Sequence, residues 1–600
     1  MKILLTFISL IAFSFSCISQ TYPDHIGAGH ETGVTIYVSD ENSSDLNTHV
    51  ISGAERVTDF EAASRFLGQA SFGSNYNDII TLANSGITQW IDNQLAMSVT
   101  ENFHTKYVTI FNEIAPQLGP NSTIELDEFL IYSFYQKIMN DEDALRQKMA
   151  FALSQIFVIS PPTSTLGNRG FANSTYYDLL YEGAFGNYRD LLMNVTMSSA
   201  MGIYLSHFQN SKEDLGLGIS PDENFAREIM QLFSIGLHEL NNDGSLKVDQ
   251  NGDIIPSYTN FEIQQMSKIF TGLSGNERLD GNPALFTFNF GVMDLTLPMK
   301  MYDEYHDVTE KNLLDGSTIM GGQSGMDDIN TAIDFLFNHP NVGPFIGTRL
   351  IQQFVKSNPS PAYINRVASA FNSNTDGIRG DMSAVLRAVL LDPEARDCSL
   401  IDDPKAGRLK QPIERMTNLF LGFNLSTPSG KFWFRDVVEL RPKVEQSFLA
   451  APTVFNFFTP FYAEAEFVEP NDMVSPEFQI LNSTSGIHYL NIIENALKNR
   501  PFGNRTAINT ATNNLTINSN DQPAFDFTAE IAEYNNNGLS SLIDRIDLIL
   551  CHGQLSTGSK AIVTNTINQN INNVIGYDTS DVINDVIYYI MLSPDYMIIN

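Results

Sequence analysis

Residues 220–236 read SPDENFAREIMQLFSIG and carry most of the marks of an amphipathic helix. Apolar residues recur there at the spacing that places side chains on one helix face, namely Phe225, Ile229, Leu232 and Phe233. Ser220 suits the N-cap, Pro221 the first helical position and Glu223 a capping box. Gly236 suits the left-handed conformation that ends many helices. We therefore predict a helix over 221–235.

The polar side of this helix has a structural interpretation. Glu223 would pair with Arg227 four residues on, a contact worth roughly 0.2–0.5 kcal/mol when exposed. Glu228 would then complete a polar network between neighbouring helices.

The same residues also have a functional interpretation. Asn224 and Arg227 would bind a ligand beside Glu228, which would act as a catalytic base or metal ligand. His207 and His238 would join Glu228 as ligands of a divalent metal, calcium or zinc outside the cell. His306, among the acidic residues of 303–307 and shortly before Lys311, is a further binding candidate. The sequence alone leaves the cofactor unknown.

Helical periodicity extends along nearly the whole chain, and strand-like alternation is rare. The clearest exception is 245–248 facing 254–255 across Asn251-Gly252, which predicts a small β-hairpin near 245–258. We therefore expect a mainly α fold, a large multi-helix assembly with one hairpin and long loops. The other predicted helices cover residues 58–67, 75–83, 86–96, 122–138, 142–158, 174–183, 187–206, 260–272, 327–337, 341–355, 361–371, 381–391, 409–422, 478–498, 539–550, 555–573 and 579–592.

The N-terminus predicts export. Lys2, an apolar run over 3–13 and then small residues form the pattern of a secretory signal peptide over 1–19. No apolar run reaches the ~20 residues of a membrane span, so we expect a mature protein in the periplasm or outside the cell, with no membrane span. Lipoprotein anchoring through Cys17 is the less favoured alternative, because Ser14 stands where a bulky aliphatic residue is usual.

The rest of the chain divides into three predicted parts. Residues 20–56 form a polar N-terminal arm, 57–396 a helical core lobe, and 397–600 a C-terminal helical lobe packed on the first. Cys398 and Cys551 lie in the last part, and in an exported protein they could form a disulfide or stay reduced.

Composition and missing motifs exclude several functions. Thirty-five Lys and Arg against 69 Asp and Glu give a net charge of -34. That field repels phosphate backbones, so we expect no nucleic-acid partner. The chain also lacks the Gly-x-Ser-x-Gly elbow, the His-Glu-x-x-His helix and the phosphate-binding glycine loop.

A set of short segments in a fixed order resembles the bacterial domain-of-unknown-function family 1800, from about Asp59 to Asn600. These segments are ASRFLGQASFG at 63–73, GNYRDLL at 186–192, ENFARE at 223–228, FTG at 270–272, the His306 and Lys311 pair, His339-Pro340, and APTVFN at 451–456. The chain departs from the pattern at 151–157, where many members have a Trp/His-rich run, and at Gln231, where a glutamate is common.

The resemblance implies an exported, mostly helical protein but no particular activity. It also implies a gene neighbour from domain-of-unknown-function family 1501, whose members look like the alkaline phosphatase and sulfatase superfamily. We therefore expect a binding or accessory protein that works with such a hydrolase-like partner on an extracellular polymer or the cell envelope. The alternative is a metal-assisted hydrolase that uses the Asn224, Arg227 and Glu228 helix, and the sequence does not decide whether the protein is an enzyme.

Overall fold

A computed structural model describes residues 34–39, 46–51, 59–99, 101–117, 125–286, 292–397, 403, 405–434, 440–465, 468, 473–498, 503–509 and 514–599. The predicted signal peptide, Cys17 and Cys398 lie outside these residues. Within the predicted polar arm, Val34–Ser39 (β1) and Leu46–Ile51 (β2) pair as an antiparallel hairpin. The described part of the arm therefore contains strands, which the sequence analysis did not anticipate.

The described residues confirm a mainly α fold. The first twelve helices are α1 Asp59–Ala70, α2 Tyr76–Ser85, α3 Ile87–Ala96, α4 Phe103–Ile114, α5 Asp127–Asn140, α6 Ala144–Ser154, α7 Gly170–Glu182, α8 Tyr188–Met197, α9 Ser199–Tyr204, α10 Asn224–Gln231, α11 Asn260–Ile269 and α12 Gly325–Asn338. The others are α13 Val342–Phe354, α14 Pro361–Asn372, α15 Met382–Leu390, α16 Pro393–Arg396, α17 Pro412–Gly422, α18 Leu440–Val444, α19 Ser483–Leu497, α20 Thr528–Cys551, α21 Thr557–Asn573, α22 Thr579–Met591 and α23 Pro594–Met597.

The remaining described strands are two or three residues long and pair in antiparallel fashion. They are β3 Leu273–Ser274 with β4 Lys300–Met301, β5 Lys311–Asn312 with β6 Thr318–Ile319, β7 Arg408–Leu409 with β10 Ile598–Ile599, and β8 Ala507–Asn509 with β9 Asn514–Thr516. None of the described helices combines the length and the apolar composition that crossing a membrane requires.

One hydrophobic cluster runs from Ala62 to Tyr596 and includes residues from both predicted lobes. At one end of it, α1 packs against α20, and Ser64 Oγ donates a hydrogen bond of 2.6 Å to the Leu548 carbonyl. Gly68 permits this contact, because a Cβ there would lie 2.6 Å from the His552 ring. The beginning and the end of the folded chain therefore share a core, and the boundary near residue 396 stays a prediction.

The predicted hairpin is present as part of a three-segment loop over residues 237–257, which we call the 237–257 loop. Each segment hydrogen-bonds to the other two: Lys247 N–H to Glu239 C=O (2.8 Å), Ile255 N–H to Lys247 C=O (3.1 Å) and Glu239 N–H to Ile255 C=O (2.9 Å). The turn at Gly252 has φ of +88°, as the Asn251-Gly252 pair predicts. The pairing consists of isolated bridges, and the third segment, residues 237–241, was not anticipated.

Candidate ligand-binding cavity

A cavity of about 600 Å³ lies where the C-terminal end of α10 and the 237–257 loop meet α13 and the segment 454–461. We call it the α10–α13 cavity. Its size falls within the roughly 300–1,000 Å³ of small-ligand sites. Apolar side chains supply most of the walls, among them Ile156, Leu232, Leu240, Phe345, Val454 and Phe458.

The wall formed by α10 and the 237–257 loop depends on one glycine and one asparagine. Gly236 turns the chain with φ of +72°, and a Cβ there would lie 2.9 Å from the Phe345 ring. Asn341 is fully buried and fixes the loop: its Nδ2 donates to the carbonyls of Ile235 (2.8 Å) and His238 (2.9 Å), and its Oδ1 accepts from Leu240 N–H (2.9 Å). Because buried hydrogen bonds of this kind are costly to break, this wall is well fixed.

Arg349 of α13 supplies a cation to the cavity wall. Its guanidinium lies 4.9 Å from the centre of the Phe345 ring and 4.5 Å from that of Phe461. Its hydrogen bond within the described residues goes to Gln352 Oε1, at 3.2 Å. Burial lowers the pKa of the Arg349 guanidinium, and no described carboxylate offsets that effect. The side chain stays charged all the same, since arginine does not lose its proton in proteins.

Gln155, Gln353 and Asn456 form an amide floor of the cavity, and Gln411 and Gln446 behind them complete a hydrogen-bonded network. Asn456 Nδ2 donates to Gln155 Oε1 (3.0 Å), and Gln155 Nε2 donates to Gln411 Oε1 (3.1 Å). Gln446 Nε2 also donates to Gln411 Oε1 (2.6 Å), and Gln411 Nε2 donates to Gln353 Oε1 (3.0 Å). Asn456 Oδ1 is buried without a hydrogen-bond partner. The floor therefore presents a free acceptor beside groups that already satisfy one another.

Beneath the floor lies a buried charge cluster of Lys148, Arg408 and Glu414. Arg408 donates from Nη1 to Glu414 Oε2 (2.7 Å) and from Nη2 to Oε1 (2.5 Å), and Lys148 Nζ also donates to Oε1. Glu414 Oε2 also accepts the Gln411 N–H at 2.7 Å, which ties the cluster to the floor. The two cations hold the pKa of the Glu414 carboxyl well below its usual range, although burial acts in the opposite direction.

Glu477 also lines the cavity, and it is only 2% exposed. Its Oε2 is buried without a hydrogen-bond partner. Burial raises the pKa of the Glu477 carboxyl to about 7, with Arg408 offsetting part of the effect. The cavity therefore contains a carboxyl group whose ionised form is disfavoured by burial.

The α10 helix confirms part of its prediction and corrects another part. Phe225, Ile229 and Phe233 are buried, as the apolar face predicts. The helix begins at Asn224, however, so the prediction of a start at Pro221 with Ser220 as N-cap was wrong. Glu223 takes the N-cap position without the predicted capping box, and a turn in which Asp222 Oδ1 accepts the Asn224 N–H at 2.8 Å occupies the place of the predicted first helical turn.

The three polar residues predicted on α10 have different environments. Arg227 Nη2 donates to Glu223 Oε2 at 3.2 Å on the surface, which confirms the predicted pair. Asn224 occupies the first turn of the helix. Glu228 is 5% exposed, its Oε2 has no hydrogen-bond partner, and burial raises the pKa of its carboxyl to about 7. Glu228 does not line the cavity, although Gln231 on the same helix does.

The histidines predicted to join Glu228 are in separate places. The His207 ring stacks on Phe225 at 3.7 Å between centres, and its Nε2 lies 2.9 Å from the Thr196 carbonyl. Burial lowers the pKa of His207 to about 4. His238 is exposed and lines the cavity.

His306 belongs to a different buried cluster. Its Nδ1 lies 3.0 Å from the Thr271 carbonyl, and its Nε2 lies 3.1 Å from Asp328 Oδ2. Lys311 Nζ donates to the same carboxylate oxygen at 2.5 Å. The His306 and Lys311 pair therefore shares one buried aspartate.

No three His, Cys, Asp or Glu side chains are grouped as metal ligands within the part of the chain that the structure describes. The proposed set of Glu228, His207 and His238 is not brought together as such a group. Cys551 is buried and forms no disulfide with any residue that the structure describes; its predicted partner Cys398 lies outside those residues, so the disulfide stays a prediction.

Sequence reasoning missed Arg349, Gln353 and Glu477, and it quoted Gln155 and Asn456 only within segments of the family pattern. Membership of those segments was the sequence signal that could have pointed to these cavity residues. The APTVFN segment ends at Asn456 on the cavity floor, and Gln231 in the wall lies three residues after the end of the ENFARE segment.

The fold and site define a mainly helical protein with an apolar cavity that contains one cation and a floor of amides. The chain belongs to the family described as "Protein of unknown function (DUF1800)", whose model matches residues 65–598. Comparisons with curated proteins and with solved structures give no match.

Proposed function

We propose that this chain is an exported binding protein and that the α10–α13 cavity is its ligand site. In this proposal it works as an accessory of a hydrolase-like partner from domain-of-unknown-function family 1501, on an extracellular polymer or the cell envelope. The export pattern over residues 1–19 and the family resemblance support the location and the partner.

The observation that carries the proposal is the set of unsatisfied polar groups inside apolar walls. Asn456 Oδ1 and Glu477 Oε2 are buried without partners, and Arg349 has no described carboxylate partner. A buried polar group without a hydrogen bond costs roughly 1–3 kcal/mol, so a fold that keeps two such groups at one cavity, beside a cation without a described carboxylate, gains by binding a ligand there.

A fluorescence titration tests whether the cavity binds. The probe is 1-anilinonaphthalene-8-sulfonate, an apolar anion, and the variant is Leu246→Trp, which fills the cavity mouth from a side chain that is 45% exposed. We expect saturable binding at one site, weakened at least about tenfold by Leu246→Trp. The matched control is Val248→Trp, on the same loop but outside the lining, which should bind as wild type does.

Equal binding by wild type and Leu246→Trp would refute the assignment of the cavity. Ligands that displace the probe should be recovered unchanged after incubation, as shown by mass spectrometry. Recovery of a cleaved ligand would instead make the protein an enzyme. The partner is tested by size-exclusion chromatography with a purified family 1501 protein, where co-elution is expected.

The metal-assisted alternative has one observation in its favour, the Glu228 carboxyl with a pKa near 7, which suits a general acid or base. It predicts stoichiometric zinc or calcium in the purified protein, lost in Glu228→Gln. The binding proposal predicts the same metal content in both proteins, measured by elemental analysis.

A further inference from the structure

We propose that the α10–α13 cavity captures the carboxylate end of an apolar peptide, with Arg349 binding the terminal carboxylate and Asn456 Oδ1 and Glu477 Oε2 accepting N–H groups. This inference rests on the proposed function, because it names the class of ligand for the same cavity. Three features of the cavity select this class.

The first feature is the cation. The Arg349 guanidinium lies against two phenylalanine rings and bonds to Gln352, and these contacts restrict its orientation. A guanidinium of restricted orientation is suited to bidentate binding of a carboxylate. The net charge of -34 does not prevent this, since charges beyond about 8 Å are largely screened at physiological salt.

The second feature is the pair of free acceptors. Asn456 Oδ1 and Glu477 Oε2 require N–H or O–H donors from the ligand, whereas the other floor amides already bond to one another. A fatty acid has a carboxylate but no such donors. A peptide has a carboxylate and backbone N–H groups.

The third feature is the apolar character of the walls and mouth. Leu237, Leu246, Phe455 and Phe461 line the cavity and are 50%, 45%, 47% and 68% exposed. Exposed apolar side chains grouped in this way are typical of protein interaction sites. An oligosaccharide would present hydroxyl groups to these surfaces without acceptors for them, whereas apolar peptide side chains would be buried favourably.

The test uses a pool of N-acetylated tetrapeptides made of alanine, valine, leucine and phenylalanine, each with a free terminal carboxylate. Displacement of 1-anilinonaphthalene-8-sulfonate identifies the tightest member, which is then resynthesised with a terminal amide. Amidation should raise its Kd at least about tenfold in wild type, and Arg349→Gln should raise the Kd of the free acid by a similar factor. In Arg349→Gln, amidation of the peptide should change Kd by less than about twofold, since this variant lacks the guanidinium that binds the terminal carboxylate.

The control is Arg387→Gln, a surface arginine that pairs with Asp92 and should behave as wild type. Melting temperatures of both variants show that they fold. Equal Kd values for acid and amide would overturn the assignment of Arg349. Displacement by decanoate or oligogalacturonate but by no tetrapeptide would overturn the peptide assignment while the binding function stands. Absence of saturable probe binding would instead refute the proposed function itself.

Discussion

Replacing Glu414 with glutamine should destabilise the protein, because the change leaves two buried cations without their carboxylate. Glu414, Arg408 and Lys148 are 3%, 2% and 2% exposed. Arg408 forms a bidentate ion pair with Glu414, and Lys148 donates a hydrogen bond to the same carboxylate. Glutamine keeps the size of the side chain and part of the hydrogen bonding but removes the negative charge.

The size of the effect follows from this burial. Removing one partner of a buried ion pair typically costs about 3–5 kcal/mol, since the remaining charge is uncompensated. At roughly 2.1 cal/mol/K per residue, about 500 residues unfolding together have an entropy near 1 kcal/mol/K, so we expect Tm to fall by about 3–5 °C. The surface control Asp92→Asn, from a pair with side chains 49% and 35% exposed, should shift Tm by less than about 1 °C.

Differential scanning calorimetry at pH 7 and at lower pH measures both effects. The folded-state pKa of Glu414 is lowered, so its stabilising contribution is present above the unfolded value and is lost as the pH falls through the folded one. The difference between wild type and Glu414→Gln should therefore shrink as the pH drops below about 4.5. A Tm within about 1 °C of wild type at pH 7 would refute the account of the charge cluster.

Three further changes test other parts of the structure. Burial raises the pKa of the Glu228 carboxyl, so its ionisation destabilises the fold as the pH rises. The Tm of Glu228→Gln should therefore exceed that of wild type at pH 8 and equal it at pH 5. Gly68→Ala should cost about 1–3 kcal/mol by overpacking against the C-terminal end of α20, whereas Gly486→Ala, with open space around it, should cost nothing measurable in thermal melts. Phe461 is exposed and lines the cavity, so Phe461→Ala should weaken probe binding severalfold with unchanged Tm. Phe261 is also exposed but lies outside the lining, so Phe261→Ala should bind the probe as wild type does.

Local signals predicted most of the fold, because many helix boundaries are encoded by nearby residues. Thr259 and Glu262 form a capping box at α11, and Asn75 and Asp78 form one at α2. The prediction failed where tertiary packing overrides local preference. The α4 segment is rich in aromatic and β-branched residues and was not predicted as a helix, yet Phe103, Tyr107, Ile110 and Ile114 form one buried face.

Two other errors have specific causes. The predicted 187–206 helix is divided at Ser198, which adopts an extended conformation between α8 and α9. The predicted helix over 539–550 is present, but a second helical stretch, which begins at Thr528 and is separated from it by the non-helical Gly538 (φ of +84°), was not predicted.

The cavity could not be predicted from the sequence, because the residues that matter come from segments hundreds of positions apart. Arg349 and Asn456 lie on different elements, and neither stands in a recognisable spacing with Gln155 or Gln231. The resemblance segments indicated which stretches mattered but did not show that they meet. By contrast, the left-handed conformation predicted for Gly236 is confirmed, because it is a local property, although α10 itself ends at Gln231 rather than at 235.

Glu228 and Glu477 show why titration behaviour alone does not identify a site. Both carboxyls are almost fully buried, both have an Oε2 without a partner, and burial raises the pKa of each to about 7. Such a pKa marks candidate functional groups, but structural carboxyls share it. Only Glu477 lines the cavity that Arg349 and Asn456 share. Access to a ligand, rather than the pKa, therefore distinguishes the two, and it favours Glu477 over the glutamate that the sequence pattern had favoured.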